Sequence, residues 1–289
     1  IAEYFQDDEV SDLFFHFEKD QELRYGENSH QKASYYKDAK GDSLGGLKLY
    51  QGKALSFNNI QDITCALEFI DFFDEPTAIG IKHNNPSGIA SSNKIFDAYK
   101  KCIDADSESI FGGIVIVNEE IGADLAKEMT SFFLEIVIGP SFTKEALEIF
   151  KDKPNLRVVE YTNLNNKKYQ FKEAFGGLLV QDRDLDLYKE LKVTSKKEPR
   201  QEELDEVLFA YKCVKCLKSN AIAITKDKQT LGLGIGDVNR FFAVSHALDM
   251  AGEEAKGAVA ASDGFFPFDD GVKAFHQAGI KAVIQPGGS

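Results

Sequence analysis

Short apolar runs alternate with stretches of helical periodicity along most of this chain, and that alternation restricts it to a layered α/β architecture. Thr77-Ala78-Ile79-Gly80-Ile81, Ile114 to Val117, Ile136-Val137-Ile138, Gly177 to Val180, Ala221 to Thr225 and Ala258 to Ala261 read as strands. Between them Ile63, Ala66, Leu67, Ile70 and Phe73 recur at helical spacing, as do residues around Ile95 to Ile103 and Leu125 to Phe133. A further helix, apolar at Leu204, Val207, Leu208, Tyr211 and Val214, is predicted to end near Ser219-Asn220. The expected sheet is largely parallel. A charged, Pro-containing stretch from Glu190 to Arg200 marks the internal boundary, and 289 residues suffice for one large domain or two smaller ones.

Lys82-His83-Asn84-Asn85-Pro86-Ser87-Gly88 follows directly on the strand that ends at Ile81. Its Asn, Pro and Gly content predicts a loop at the carboxyl end of that strand, where open α/β sheets place their ligands. There a His can move a proton near neutral pH and a Lys can stabilise a developing oxyanion. A solvated strand end with a hydrogen-bonded turn histidine fits the local string as well.

With a net charge of -13 and a pI near 4.9, nonspecific attraction to nucleic acid or to an anionic membrane is disfavoured. An anionic ligand would need cations gathered locally. No apolar run reaches the length of a membrane span and no signal-peptide pattern opens the chain, so a cytoplasmic protein is expected. Four cysteines are too few for a disulfide scaffold in a chain this long. Cys213-x-x-Cys216 could be half of a zinc or redox site, but it lies inside a helical pattern and has no second pair. His16-x-Glu18 with that pair makes a poor zinc-deaminase signature, lacking a Pro before Cys213, and no G-x-S-x-G suggests a serine hydrolase.

Other strings carry chemistry less specifically. Leu23-Arg24-Tyr25-Gly26-Glu27-Asn28-Ser29-His30 is an anion-pocket wall or a polar loop, and Asn59 and Asp62 lie near a helix N-terminus. The Gly-rich run Leu231 to Gly236 is not a dinucleotide fingerprint; it supports only close approach of a ligand, with Arg240 opening a helix. Ser262 to Asp270 combines an aromatic cluster with two acids, read alone as a hydrophobic plug before an N-capped helix.

Taken in order, Leu23 to His30, Lys82 to Gly88, Phe111-Gly112-Gly113, Lys218-Ser219-Asn220, Gly234 to Arg240, Ser262 to Asp270 and Gln285 to Ser289 resemble the AICAR transformylase part of the bifunctional purine-biosynthesis (PurH) family. The resemblance covers nearly the whole chain. It implies duplicated three-layer α/β/α subdomains similar to cytidine deaminase without its zinc, at residues 21–190 and 191–289, forming an intertwined homodimer. Residues 1–20 would be the remnant of a linker after an IMP cyclohydrolase domain, and no cyclohydrolase activity is expected. The reaction implied is formyl transfer from 10-formyltetrahydrofolate, as co-substrate, to the 5-amino group of AICAR. His83 would move the proton and Lys82 stabilise the oxyanion. Arg24, Tyr25, Asn59, Gly112, Glu135, Asn220, Arg240 and Phe265 would hold AICAR, and Phe241, Asp270 and Ser289 the folate. No metal, nucleic-acid or membrane partner is implied. A noncatalytic ligand-binding or assembly module of the same fold is the alternative.

Three positions depart from the family pattern: Ser29 stands for the usual Pro, Ser87 for a frequent Cys and Asp269 for an Arg. The start at Ile1 and the end at Ser289 read as cuts in a longer chain, whose tail would carry an Arg for the AICAR phosphate.

Overall fold

In the computed structural model, which describes residues 13–162, 169–184 and 186–287, an antiparallel pair comes first: β1 (Phe17–Leu23) and β2 (Ala33–Asp38). Next come β3 (Lys48–Gln51), α1 (Phe57–Ile70), β4 (Thr77–Lys82), β5 (Asn85–Ser91), α2 (Ile95–Ala105) and β6 (Ile114–Val117). α3 (Ala123–Ser131), β7 (Ile136–Gly139), α4 (Lys144–Phe150) and β8 (Arg157–Glu160) complete the first half. A second hairpin, β9 (Tyr169–Ala174) and β10 (Gly177–Asp182), stands apart from the main sheet, so the strand expected at Gly177 to Val180 is not part of the core. The second half is α5 (Gln201–Lys215), β11 (Ile222–Lys226), β12 (Gln229–Gly234), α6 (Arg240–Ala251), β13 (Val259–Ser262), α7 (Asp270–Ala278) and β14 (Ala282–Ile284).

One ten-stranded sheet runs through both halves in the order β14-β13-β11-β12-β5-β4-β6-β7-β8-β3. Helices cover it on both sides because each central strand is apolar on both faces. Along β6, Ile114 and Ile116 join the cluster that contains Ile63 of α1 and Val214 of α5. Val115 and Val117 join the opposite cluster with Tyr99 of α2, Met129 of α3 and Phe150 of α4. In the second half that opposite layer is α6 and α7, packed through Ala243, Ala247 and Phe275. Each fully buried Ile contributes roughly 1.5–3 kcal/mol, so the isoleucines of β4, β6 and β7 anchor the centre.

The two halves share one topology. The series α1-β4-β5-α2-β6-α3-β7 repeats as α5-β11-β12-α6-β13-α7-β14, with strand orders β5-β4-β6-β7 and β12-β11-β13-β14. They meet back to back where β12 pairs antiparallel with β5 at Gln229 and Ala90.

Several expectations are corrected. The sheet is mixed: only β6–β7, β7–β8 and β13–β14 are parallel, the other neighbours antiparallel. Apolar runs report burial but not strand direction. Residues 82–88 are not a loop. His83 and Asn84 alone make the turn, at φ 54 and 60 as a two-residue type I′ hairpin requires, and Asn85–Ser91 is a strand. Pro86 fits because Gly80 pairs with Gly88 while Ile81 pairs with Pro86, leaving Ser87 in a bulge. Gly232 and Gly234 lie within β12, where an added Cβ would stand 1.9 and 2.1 Å from the carbonyl oxygens of Ala247 and Ala243. They let α6 approach the sheet rather than a ligand. α5 ends at Lys215, before Ser219-Asn220. Among the described residues no helix is long and apolar enough to cross a membrane.

Candidate active site

Strand register brings the first-half residues together. Ile81 pairs with Ile114, Ile114 with Ile136 and Ile136 with Arg157, so Lys82, Gly112, Glu135 and Arg157 lie side by side at one end of the sheet. That end is the carboxyl end of β4 but the amino end of β6, β7 and β8. The rule that ligands sit outside carboxyl ends therefore holds only for part of the site, because it presumes a parallel sheet.

α1 starts with a reciprocal capping box that also fixes a site residue. Asn59 N–H donates to Ser56 Oγ at 3.2 Å and Ser56 N–H donates to Asn59 Oδ1 at 3.1 Å. With its oxygen so held, Asn59 directs Nδ2 to Glu135 Oε2 at 3.3 Å. Arg157, which the sequence reading did not single out, approaches the same carboxylate oxygen at 3.9 Å through Nη1. Its Nε donates to Lys53 O at 3.0 Å and its Nη2 to Ala54 O at 3.4 Å. Gly52, at φ 97, makes this possible, since a Cβ there would lie 2.8 Å from Arg157 Cα.

Lys82 Nζ donates to Phe111 O at 2.8 Å, and Gly112, at φ 73, donates its N–H to Phe133 O at 2.9 Å. Asn84 N–H donates to Asp62 Oδ1 at 2.7 Å. Burial pushes the Asp62 carboxyl above its usual range, against the pull of the Asn84 N–H and His83 and with a push from Glu135.

A cavity of about 840 Å³ opens beside this cluster, its walls including Arg24, Tyr25, Lys53, Asn59, Glu135 and Arg157. Arg24 stacks over the Tyr25 ring at 5.6 Å. Arg24, Lys53 and Arg157 give an acidic protein the local cations that an anionic ligand needs. Lys82, His83 and Gly112 are not wall residues, but Phe111, which accepts from Lys82, is.

The second-half residues form another cluster at the same end of the sheet, since Ile222 pairs with both Gly234 and Ser262. Asn220 Nδ2 donates to Asp237 O at 2.7 Å, and Arg240, first residue of α6, donates to Ser262 Oγ at 3.0 Å and ion-pairs with Asp263. Burial opposes the charge of Asp263, but hydrogen bonds from Ser219, the Ala221 N–H and Arg240 outweigh it and hold the carboxyl below its usual range. Phe241 and Phe265 are exposed beside it; of the neighbouring aromatics only Phe266 plugs the core, edge-on to Phe275 at 5.9 Å. Asp270 opens α7. Ser289 lies outside the described residues. From β4 to β11 there are three strand spacings of about 4.8 Å and from β7 to β13 six, so residues of the two clusters stand roughly 14–29 Å apart within one chain.

Cys213 and Cys216 are both buried, which pushes their thiols up and disfavours the thiolate that zinc or redox chemistry requires. Among the described residues no group of three His, Cys, Asp or Glu could hold a metal ion.

The family model described as AICARFT/IMPCHase bienzyme matches residues 1–250. A protein of Thermoanaerobacter sp. (strain X514) named bifunctional purine biosynthesis protein PurH is 48% identical over 280 residues, covering 96% of this chain and 55% of the relative. The protein of the same name from Acetivibrio thermocellus is 48% identical over 303 residues, covering 100% of this chain and 59% of the relative. The chain thus spans somewhat over half the length of these curated relatives. With a family model matched over residues 1–250 and relatives 48% identical over nearly the whole chain, the chain belongs to the AICARFT/IMPCHase bienzyme family.

Proposed function

We propose that the protein acts in purine biosynthesis by passing the formyl group of 10-formyltetrahydrofolate to the 5-amino group of AICAR. The observation that carries this reading is the Lys82-His83 pair at the end of β4, beside a cation-lined cavity in which Asn59 and Glu135 present a fixed amide and carboxylate. The AICAR amine is a poor nucleophile because its lone pair is conjugated into the imidazole carboxamide. As it bonds to the formyl carbon, His83 takes its proton and Lys82 offsets the charge on the formyl oxygen. The bond from carbon to N10 then breaks and the proton passes to N10, releasing FAICAR and tetrahydrofolate. Arg24 and Tyr25 hold AICAR, joined by Asn59, Gly112, Glu135, Asn220, Arg240 and Phe265. Phe241, Asp270 and Ser289 meet the folate.

The two clusters, on strands three to six spacings or roughly 14–29 Å apart, are too spread for all their residues to touch one AICAR, and this supports a homodimer in which the first-half cluster of one chain faces the second-half cluster of another. The repeated α-β-β-α-β-α-β series in three layers supports the likeness to cytidine deaminase. The reading needs no zinc, nucleic acid or membrane, and suits a cytoplasmic protein.

The test is to incubate the protein with AICAR and 10-formyltetrahydrofolate and follow tetrahydrofolate. Release that depends on AICAR is expected. Binding of AICAR without release would leave the noncatalytic module, and conversion of supplied FAICAR to IMP without formyl transfer would assign the chain to ring closure instead.

A further inference from the structure

Both copies of the repeated series carry the same carboxylate clasp on the turn of their hairpin, β4–β5 in the first and β11–β12 in the second. In the second half, Glu206 of α5 accepts the N–H of Lys228 at 3.0 Å; Lys228 is the second residue of the β11–β12 turn. In the first half, Asp62 of α1 accepts the N–H of Asn84 at 2.7 Å; Asn84 is the second residue of the β4–β5 turn. Each acid is the sixth residue of its helix, and each is 22 positions before its partner. Both turns have two non-glycine residues at positive φ: Asp227 and Lys228 at 52 and 55, His83 and Asn84 at 54 and 60. Such a backbone persists only where its surroundings hold it, and the clasp supplies the hold from outside the hairpin. Glu206 also accepts from Thr225 Oγ1 at 2.7 Å, tying the strand as well as the turn. Its turn lies at the other end of the sheet from the candidate site.

We propose that Asp62 is a positioning residue for His83: by gripping the peptide that follows His83, it sets where the imidazole stands. This rests on the reading of His83 as the proton-transfer group. The repeat supplies the reasoning, because the same device at Asp227-Lys228 serves only the fold, whereas at His83-Asn84 it fixes a residue with chemistry. Asp62 is partly buried, and the nearby charges of His83 and Glu135 mark it as part of the same cluster.

Two readouts test this, using protein with 13C-labelled histidine. Asp62→Ala is expected to move or broaden the ring Cε1–H signal of His83 and to lower kcat by about 10²-fold with little change in the KM for AICAR, as a misplaced catalytic group does. Asp62→Asn, which keeps an oxygen to accept the N–H, is expected to restore both. Glu206→Ala, breaking the equivalent clasp, should lower Tm and leave the His83 signal and kcat unchanged. If Asp62→Ala does not fold, Asp62→Glu puts the carboxylate one methylene further out, and the same displaced signal is expected. An unchanged His83 signal in a folded Asp62→Ala or Asp62→Glu protein overturns the proposal whatever the turnover. Absence of formyl transfer in the unsubstituted protein overturns the functional reading alone, since the His83 signal still decides the clasp.

Discussion

Asn59 donates to Glu135 at 3.3 Å across 76 positions of sequence, and each is held by a different part of the fold. The capping box of α1 fixes Asn59 from one side, and Glu135 N–H donates to Gly113 O at 2.9 Å from the other. Arg157 closes the arrangement by joining Glu135 to the carbonyls of Lys53 and Ala54. A substrate meeting this wall therefore meets a rigid pair, and the ordering entropy has already been met in folding.

Arg157→Ala removes the link between Glu135 and the 53–54 segment. Hydrogen bonds to charged groups are worth about 1.5–3 kcal/mol, so AICAR affinity should fall by roughly 10–100-fold. Arg157→Lys should recover little, since one ammonium cannot replace a planar fork that bridges a carboxylate and two carbonyls. Calorimetric titration with AICAR, run beside thermal unfolding, measures both. Unchanged affinity in the folded Ala variant would remove Arg157 from the site.

How much of this could be read in the sequence depends on the reach of each interaction. The runs at β4, β6 and β7 are legible because both faces are buried, so nearly every residue is apolar. Their direction is not legible, since an Ile in a parallel ladder looks the same as one in an antiparallel ladder. Pro86 and Gly88 mislead for a different reason. They are loop residues by composition, yet one sits beside a bulge and the other under α2, where an added Cβ would stand 2.3 Å from Cys102 O. Lys82 and His83 stand out because they break an apolar run, whereas Arg157 and Asp62 act on partners 104 and 22 positions away and look like ordinary surface charges.

Glu206 gives a pH-dependent stability whose sign can be worked out. Burial raises its carboxyl above the usual glutamate range, so the folded state is penalised for carrying the charge. Stability from this group rises as pH falls from neutral through its folded value and levels off below its unfolded value. Glu206→Gln keeps an oxygen for Thr225 and Lys228 without the charge. It should equal or exceed the parent in stability at neutral pH, with the difference shrinking towards acid. Urea unfolding of both proteins between neutral pH and the glutamate range reports this, and a Gln variant that is less stable at neutral pH would contradict it.

A site shared between chains predicts complementation. Lys82→Ala and Arg240→Ala should each be inactive alone, for they damage different clusters, at strands β4 and β13 that lie four spacings or about 19 Å apart. Random mixing makes half of the dimers hybrid, each with one intact and one doubly damaged site, so about a quarter of the activity should return. Sedimentation velocity of the unsubstituted protein at micromolar concentration should show a dimer. A monomer, or no recovery after mixing under conditions that exchange subunits, would require both clusters to act separately.

The chemistry at Lys82 and His83 is tested by separating turnover from folding. If His83 moves the proton of the attacking amine, His83→Ala should lower kcat by roughly 10²–10⁴-fold, the usual worth of a positioned acid–base group. AICAR affinity should change far less. If Lys82 meets the developing oxyanion, Lys82→Ala should lower kcat by about 10²–10³-fold, because that charge finds its partner only in the transition state. Lys82 also donates to Phe111 O, a contact that the Ala variant loses in the resting protein as well, so part of its effect should appear as a lower Tm. His83 occupies a turn position at φ 54, where Asn is better tolerated than most residues. His83→Asn should therefore retain the fold better than His83→Ala and still lose turnover, which separates a chemical role from a conformational one. A folded His83→Asn protein with nearly full kcat would show that the histidine serves the turn and that the proton leaves by another route.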